Sequence, residues 1–299
     1  MGSGTFDAAA YRAYRSTTHG KTTDAIYSAR AINKNLDPKG VKLRESRDSA
    51  DNPNSTPVIV AIDVTGSMGM IADALAREGL GTLFNEILDR KPITNPHLMF
   101  MAIGDANCDQ APFQVSQFEA DNRIVEQLTQ IWLEKGGGGN CFESYNMPWY
   151  FAARHTEHDS YIKRGKRGYL FTVGDEEAPQ DLTKSQISRF IGDAMERKMT
   201  SEEMLIEAQR TYDVFHIIIK EGAHCRSRLP QVVDSWTSLL GQRVIQLADH
   251  RKLAETIVSV IEVSEGRDAA DAANRFGPVV LDAVKHLPRN RGWKRLLLT

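Results

Sequence analysis

Cysteine is scarce and poorly placed for cross-linking. Cys108, Cys141 and Cys225 are odd in number, widely spread and without a C-x-x-C pair, which argues against both a disulfide framework and a zinc knuckle. They read as reduced thiols. Long apolar runs are also missing, since none approaches the ~20 residues of a membrane span. The N-terminal MGSGTFDAAAYRAYRS lacks the apolar core of a signal peptide. Together these absences lead to the expectation of a cytoplasmic protein with no membrane partner. Neither end carries a dense Lys/Arg block interleaved with aromatics of the kind single-strand binders use, so nucleic acid is not the favoured partner.

What remains is an ordinary globular composition, 41% hydrophobic and 25% charged over 299 residues, enough for one large core or two smaller ones. The net charge of −2 conceals an asymmetry: residues 1–47 sum to +5, residues 285–299 to another +5, and the stretch between them to −12. Basic ends flank an acidic body. They can fold back on it, remain solvated, or touch nucleic acid or an acidic partner, and the first two are the simpler readings.

Six apolar runs have strand character: VIVAI (58–62), LMFMAI (98–103), FQVSQF (113–118), GYLFTV (168–173), VFHIII (214–219) and RVIQLA (243–248). Helical patterns lie between most of them: Ile71, Leu75, Leu83 and Ile87, then DNRIVEQLTQIWLEK, SYNMPWYFAARH and DLTKSQISRFIGDAMERK. Alternation of this kind predicts a Rossmann-like, doubly wound, mostly parallel six-stranded sheet with helices on both faces. The gap between Ile103 and Phe113 is too short for a crossover helix, so the third strand should pair antiparallel at the sheet edge. The division expected is a basic N-terminal extension over 1–54, a main domain over 55–265, and a C-terminal helix with a basic tail over 266–299.

The stretch VIVAIDVTGSMGM (58–70) carries the most chemistry. Asp63, Thr65 and Ser67 stand at alternate positions just past an apolar strand, and a carboxylate with two hydroxyls is a hard oxygen donor set suited to Mg²⁺ or Ca²⁺ rather than zinc. The place is apt, because ligands of open α/β sheets gather at the carboxyl ends of strands. A helix cap would account for one hydroxyl but not for an acid and two hydroxyls in this spacing.

VIVAIDVTGSMGM resembles the first strand and metal-ion-dependent adhesion site of the von Willebrand factor A family, whose usual Asp-x-Ser-x-Ser has Thr65 in place of the first serine. KGGGGNCFES (135–144) and LFTVGDEEAP (170–179) follow in the order the family's second and third motifs would take. The resemblance covers roughly residues 55–265. It implies a bound Mg²⁺, or Mn²⁺ or Ca²⁺, held by Asp63, Thr65, Ser67 and Asp175. The family's threonine is absent from the glycine-rich motif, leaving Asn140 or Glu143 for its role, with Asn140 preferred and Glu143 and Glu176 as alternative or outer acids. Thr172, Val173 and Gly174 stand ahead of Asp175, where the family aspartate commonly follows its strand directly.

Other features are weaker. Asp105, Asn107 and Asp109 occupy the first EF-hand loop positions, but Gln110 and Ser116 stand where that loop needs glycine and glutamate. Asp105 and Asn107 therefore read as turn residues, with Asp105 near enough to the metal for an outer role. The GGGG run at 136–139 lacks the Lys-Ser/Thr of a phosphate loop. His155 and His158, three apart in a helical pattern, read as a solvated helix face.

Two functions fit. In the first, the metal keeps a coordination position for an acidic side chain of a protein partner, making the chain an interaction module. The resemblance implies an adaptor in a larger intracellular assembly, P-loop ATPases among them by analogy. In the second, Asp63 is the nucleophile of a Mg²⁺-dependent phosphohydrolase or phosphotransferase. Such an enzyme wants a second aspartate two residues on, where this chain has Thr65, and the first reading is preferred.

Overall fold

A computed structural model describes residues 4–134 and 142–288, with Ser67 described by its backbone alone. All six apolar runs are strands of one sheet: β1 (Thr56–Asp63), β2 (Pro96–Ile103), β3 (Phe113–Val115), β4 (Gly168–Gly174), β5 (Tyr212–Ile219) and β6 (Val244–Leu247). Their spatial order is β3-β2-β1-β4-β5-β6. Every pair is parallel except β2 with β3, where Met101 faces Val115 and Ile103 faces Phe113. The order reverses between β1 and β4, and a doubly wound sheet opens a crevice at the carboxyl ends of its strands there.

Continuous apolar runs form the central strands because both faces of the sheet are covered. Along β1, Val58, Val60 and Ile62 enter one core, which includes residues of the helices Leu80–Arg90, Leu253–Ser264 and Pro278–Val284. Ile59 and Ala61 enter the other, shared with the helices Asn146–Arg154, Ser201–Ala208 and Cys225–Leu240. Each fully buried aliphatic side chain of this kind contributes about 1.5–3 kcal/mol, which holds the register of β1 and with it the position of Asp63.

The N-terminal residues are built into the first core. Asp7 caps the helix Ala8–Thr18 by accepting from the Ala9 and Ala10 N–H groups at 2.7 and 3.1 Å. Buried Tyr11 and Tyr27 donate their phenols to the carbonyls of Ala76 (3.1 Å) and Ala72 (2.6 Å). Leu36 is buried, and its carbonyl accepts from Val115 N–H at 2.8 Å, covering the edge of β3. Part of the basic charge here is paired: Arg15 meets Glu78 at 2.7 Å and Arg47 meets Asp159 at 3.1 Å. At the other end, buried Glu262 gathers Arg90, Arg267 and Arg275, fastening residues 267–275 to the helix Leu80–Arg90. The basic residues from Arg289 onward lie outside the described residues.

Two local expectations change. The pattern over 181–198 is helical only across Lys184–Phe190, after which the chain turns at Gly192, where φ is 101°. His155 and His158 do not share a helix face. His155 ends the helix Asn146–Arg154, and its ring contacts the Val41 carbonyl and Asp193 Oδ2, both at 2.8 Å. His158 lies in Thr156–His158, which pairs in parallel with Arg44–Ser46, and burial lowers its pKa to about 4. Both are buried because the N-terminal segment passes over them.

Candidate metal centre

Asp63 is the last residue of β1 and is fully buried at the switch in strand order. Its Oδ1 accepts from the Thr65 N–H at 2.9 Å and from the Thr65 hydroxyl at 2.7 Å. Its Oδ2 accepts from the Tyr145 phenol at 2.9 Å. The Thr65 hydroxyl is thus engaged with Asp63 and not with a helix N–H. Since that hydroxyl donates its hydrogen to the carboxylate, its lone pairs remain available for a cation. Oδ1 already receives two donors, so Oδ2, or a water, is the route by which Asp63 can reach an ion. Gly66, with φ 43°, opens the 3-10 turn Gly66–Met68 that carries the Ser67 backbone.

Asp175 follows β4 directly, because the strand runs through Gly174. Its Oδ2 accepts from the His224 N–H at 2.8 Å, and its carboxylate lies so close to Gly222 that a Cβ there would sit 2.2 Å from Oδ2. Burial raises its pKa. Glu176 comes next; its pKa is pushed up to about 8 by burial and then by the charges of Asp63 and Asp175.

Glu143 reaches the same crevice from the segment that enters the helix Asn146–Arg154. Phe142 bridges to Glu177, the Ser144 N–H donates to the Gly104 carbonyl at 3.1 Å, and the Ala106 N–H donates to Ser144 Oγ at 3.0 Å. This stitching holds 142–145 between the ends of β2 and β4. Glu143 is 3% exposed, and its pKa rises to about 10, first from burial and then from Asp63 and Glu176. Asp63 itself is raised to about 7, by burial against the opposing effect of Thr65, with Asp175 adding to the rise. Asp105, just past β2, accepts from the Asn107 N–H and side-chain amide at 2.8 and 2.9 Å, the turn chemistry expected of it.

Oε2 of Glu143 and Oε2 of Glu176 are buried and have no hydrogen-bond partner among the described residues. The raised pKa values of these two glutamates reflect how costly an anion is in this crevice unless a positive charge meets it. Carboxyl oxygens and the Thr65 hydroxyl are hard donors, the ligand type that Mg²⁺, Mn²⁺ or Ca²⁺ takes. No three of Asp63, Glu143, Asp175 and Glu176 bring their oxygens within 4.8 Å of one another. Among the described residues that spacing belongs to Glu221, Asp249 and His250, where Glu221 Oε2 already accepts from the His250 N–H and Asp249 is taken by Arg251. A cation at the crevice would therefore use hydroxyls and water beside the carboxylates, as Mg²⁺ commonly does. Asn140 and the glycine run lie outside the described residues.

Sequence reasoning missed Tyr145, His216 and Trp236. Tyr145 packs edge-on against Trp236 and His216, at ring separations of 5.4 and 5.2 Å, and His216 stacks on Trp236. The phenol passes so near Gly174 that a Cβ there would lie 1.9 Å from Oη. Gly174 is the one local signal for this packing, and it has meaning only once its neighbour across the crevice is known.

No family model matches the chain and no curated protein is similar to it. Among solved structures it is similar to the pilus adhesin SpaC of Lactobacillus rhamnosus GG in an open conformation. The identity is 7% and the TM-score 0.43, over 75% of this chain and 32% of the adhesin. It is also similar to a von Willebrand factor type A protein from Catenulispora acidiphila, with 15% identity and a TM-score of 0.38, over 71% of this chain and 43% of the other. The chain thus spans about a third of the adhesin's length and under half of the second protein's.

Proposed function

We propose that the chain is a von Willebrand factor A-like interaction module in which a hard divalent cation, Mg²⁺ in the first instance, links Asp63, Thr65, Ser67 and Asp175 to an acidic side chain of a protein partner. Glu143 and Glu176 stand as direct or water-mediated acids of the same centre, and Asn140 as a candidate for the family threonine's role. The observation that carries this reading is the pair of bare, buried carboxylate oxygens on Glu143 and Glu176 beside an Asp63–Thr65 unit whose lone pairs are available to a cation. An adaptor role in a larger intracellular assembly rests on the resemblance alone. The phosphohydrolase reading is weaker. Asp63 has hydrogen bonds on both oxygens and no exposure, which suits a fixed electrostatic anchor better than a nucleophile that must meet a phosphorus atom.

In this function the protein's own groups bind and orient. Thr65 and Tyr145 hold the Asp63 carboxylate in one rotamer, and the His224 N–H holds that of Asp175. The cation, when bound, supplies the positive charge that attracts the partner's carboxylate. Calorimetry of Mg²⁺ and Mn²⁺ binding to wild type, Asp63→Ala and Thr65→Ala tests the centre: both variants should lose most of the affinity while keeping the far-ultraviolet dichroism of wild type. Equal binding by folded variants refutes the assignment. Pull-downs with and without EDTA then ask whether partner capture follows the metal.

A further inference from the structure

We propose that a recess at the pole opposite the acid cluster binds a small phosphate-bearing ligand. Asp63 and Asp175 lie where β1 and β4 end; this recess lies where β1, β2 and β4 begin. It has a volume of about 230 Å³, and Lys91, Arg164, Lys166 and Arg167 line it together with Thr94 and Ser160.

The four cations are not equivalent. Arg164 is held by Asp48 through contacts of 2.8 and 3.1 Å and donates to the Ser55 carbonyl at 2.8 Å. Arg167 pairs with buried Asp213 at 2.7 Å. Lys91 and Lys166, by contrast, make no ion pair among the described residues. Glu265 is the one acid among the lining residues, and its Oε1 accepts from the Tyr169 phenol at 2.6 Å. The recess therefore presents two ammonium groups that no carboxylate pairs among the described residues, set against the single charge of Glu265 and backed by two guanidinium groups held in ion pairs.

Both lysines issue from anchored backbone. Lys91 closes the helix Leu80–Arg90 in the left-handed region, with φ 51°, and its N–H donates to the Ile87 carbonyl at 2.9 Å. Glycine or asparagine usually takes such a position. Lys91 and Asn95 (φ 39°) are the two non-glycine residues of positive φ among the described residues, and they bound the loop whose residues 91–94 line the recess. Backbone outliers that a fold retains often mark a site where a side chain has to be placed. Lys166 follows Gly165, whose φ of 62° makes the turn; its N–H donates to the Ser160 carbonyl at 2.9 Å and its carbonyl accepts from Ser160 Oγ at 3.0 Å. Compact ammonium charges carried on anchored backbone match the charge and the acceptor oxygens of a phosphate group.

The test is titration of the full chain with inorganic phosphate and, separately, with AMP, at constant ionic strength, followed by calorimetry and by amide chemical shifts at 91–94 and 166. Wild type should show saturable one-to-one binding with shifts confined to those amides. Lys91→Gln/Lys166→Gln should weaken it at least tenfold while unfolding at the same urea midpoint without phosphate. Tighter binding of AMP identifies a phosphate ester as the natural ligand, and equal binding identifies the free anion. Absence of saturable binding of either probe, or equal affinity in the double variant, overturns the proposal. Chelation of divalent metal does not enter this test, so its outcome is independent of the acid cluster.

Discussion

Replacing Glu143 by glutamine removes an ionisable group whose charged form the metal-free protein accommodates poorly. The carboxyl is 3% exposed, its Oε2 has no hydrogen-bond partner among the described residues, and the nearby charges of Asp63, Glu176, Asp109 and Asp105 all oppose its ionisation. Its pKa rises from an ordinary 4.5 to about 10. Because the folded value lies above the unfolded one, this group's contribution to stability is fully present below pH 4.5 and is lost as pH rises towards 10. Each pH unit inside that window costs about 1.4 kcal/mol, so Glu143 alone costs on the order of 3 kcal/mol at neutral pH. The Glu143→Gln variant lacks this dependence and should gain on wild type by about 4 kcal/mol between pH 5 and pH 8. Urea denaturation in EDTA at several pH values measures it directly. Adding Mg²⁺ should then separate the two proteins in the opposite sense: a cation at one hundred times its Kd stabilises wild type by about 2.7 kcal/mol, and the variant, with one anionic ligand fewer, should gain less. Parallel stability–pH curves for the two proteins in EDTA would refute the argument, since Glu143 would then be exposed or already neutralised by the protein.

Two further perturbations probe the frame around the site. Glu262→Ala should cost about 1–3 kcal/mol by urea denaturation, because Arg90 and Arg267 lose their carboxylate while Arg275 keeps Glu86 at 3.0 Å; a loss under about 0.5 kcal/mol would mean that solvent compensates those arginines. Gly174→Ala would place a Cβ 1.9 Å from Tyr145 Oη, and Tyr145, fully buried against Trp236 and His216, has little room to yield. A destabilisation of about 1–3 kcal/mol is expected from such overpacking, together with weaker Mg²⁺ binding as Asp63 loses its phenol donor. Unchanged stability and affinity would show that the phenol does not hold Asp63.

The sheet was legible in the chain because its central strands are buried on both faces, so they read as short, nearly continuous apolar runs. The antiparallel pairing of β3 followed from length alone, as the nine residues between Ile103 and Phe113 cannot hold a crossover helix. Asp63 and Thr65 were legible for a related reason: their interaction is local, two residues apart, and sits where a strand gives way to a helix. Helix ends were less legible, since the pattern over 181–198 breaks at Gly192 through a tertiary turn that periodicity does not record.

What tertiary structure alone decided is everything that depends on elements far apart in the chain. Composition placed positive charge in residues 1–47 but could not say that Tyr11, Tyr27 and Leu36 would enter the core. Nor could local pattern show that His155 and His158 would be covered by the N-terminal segment. Tyr145 meets Asp63 across 82 residues, and Glu143 meets Glu176 because Phe142 bridges to Glu177. A carboxylate on a loop reads the same in sequence whether it is solvated or buried. Its chemistry here comes from desolvation and from the other charges of the crevice, and those act only after β1 and β4 have been brought side by side.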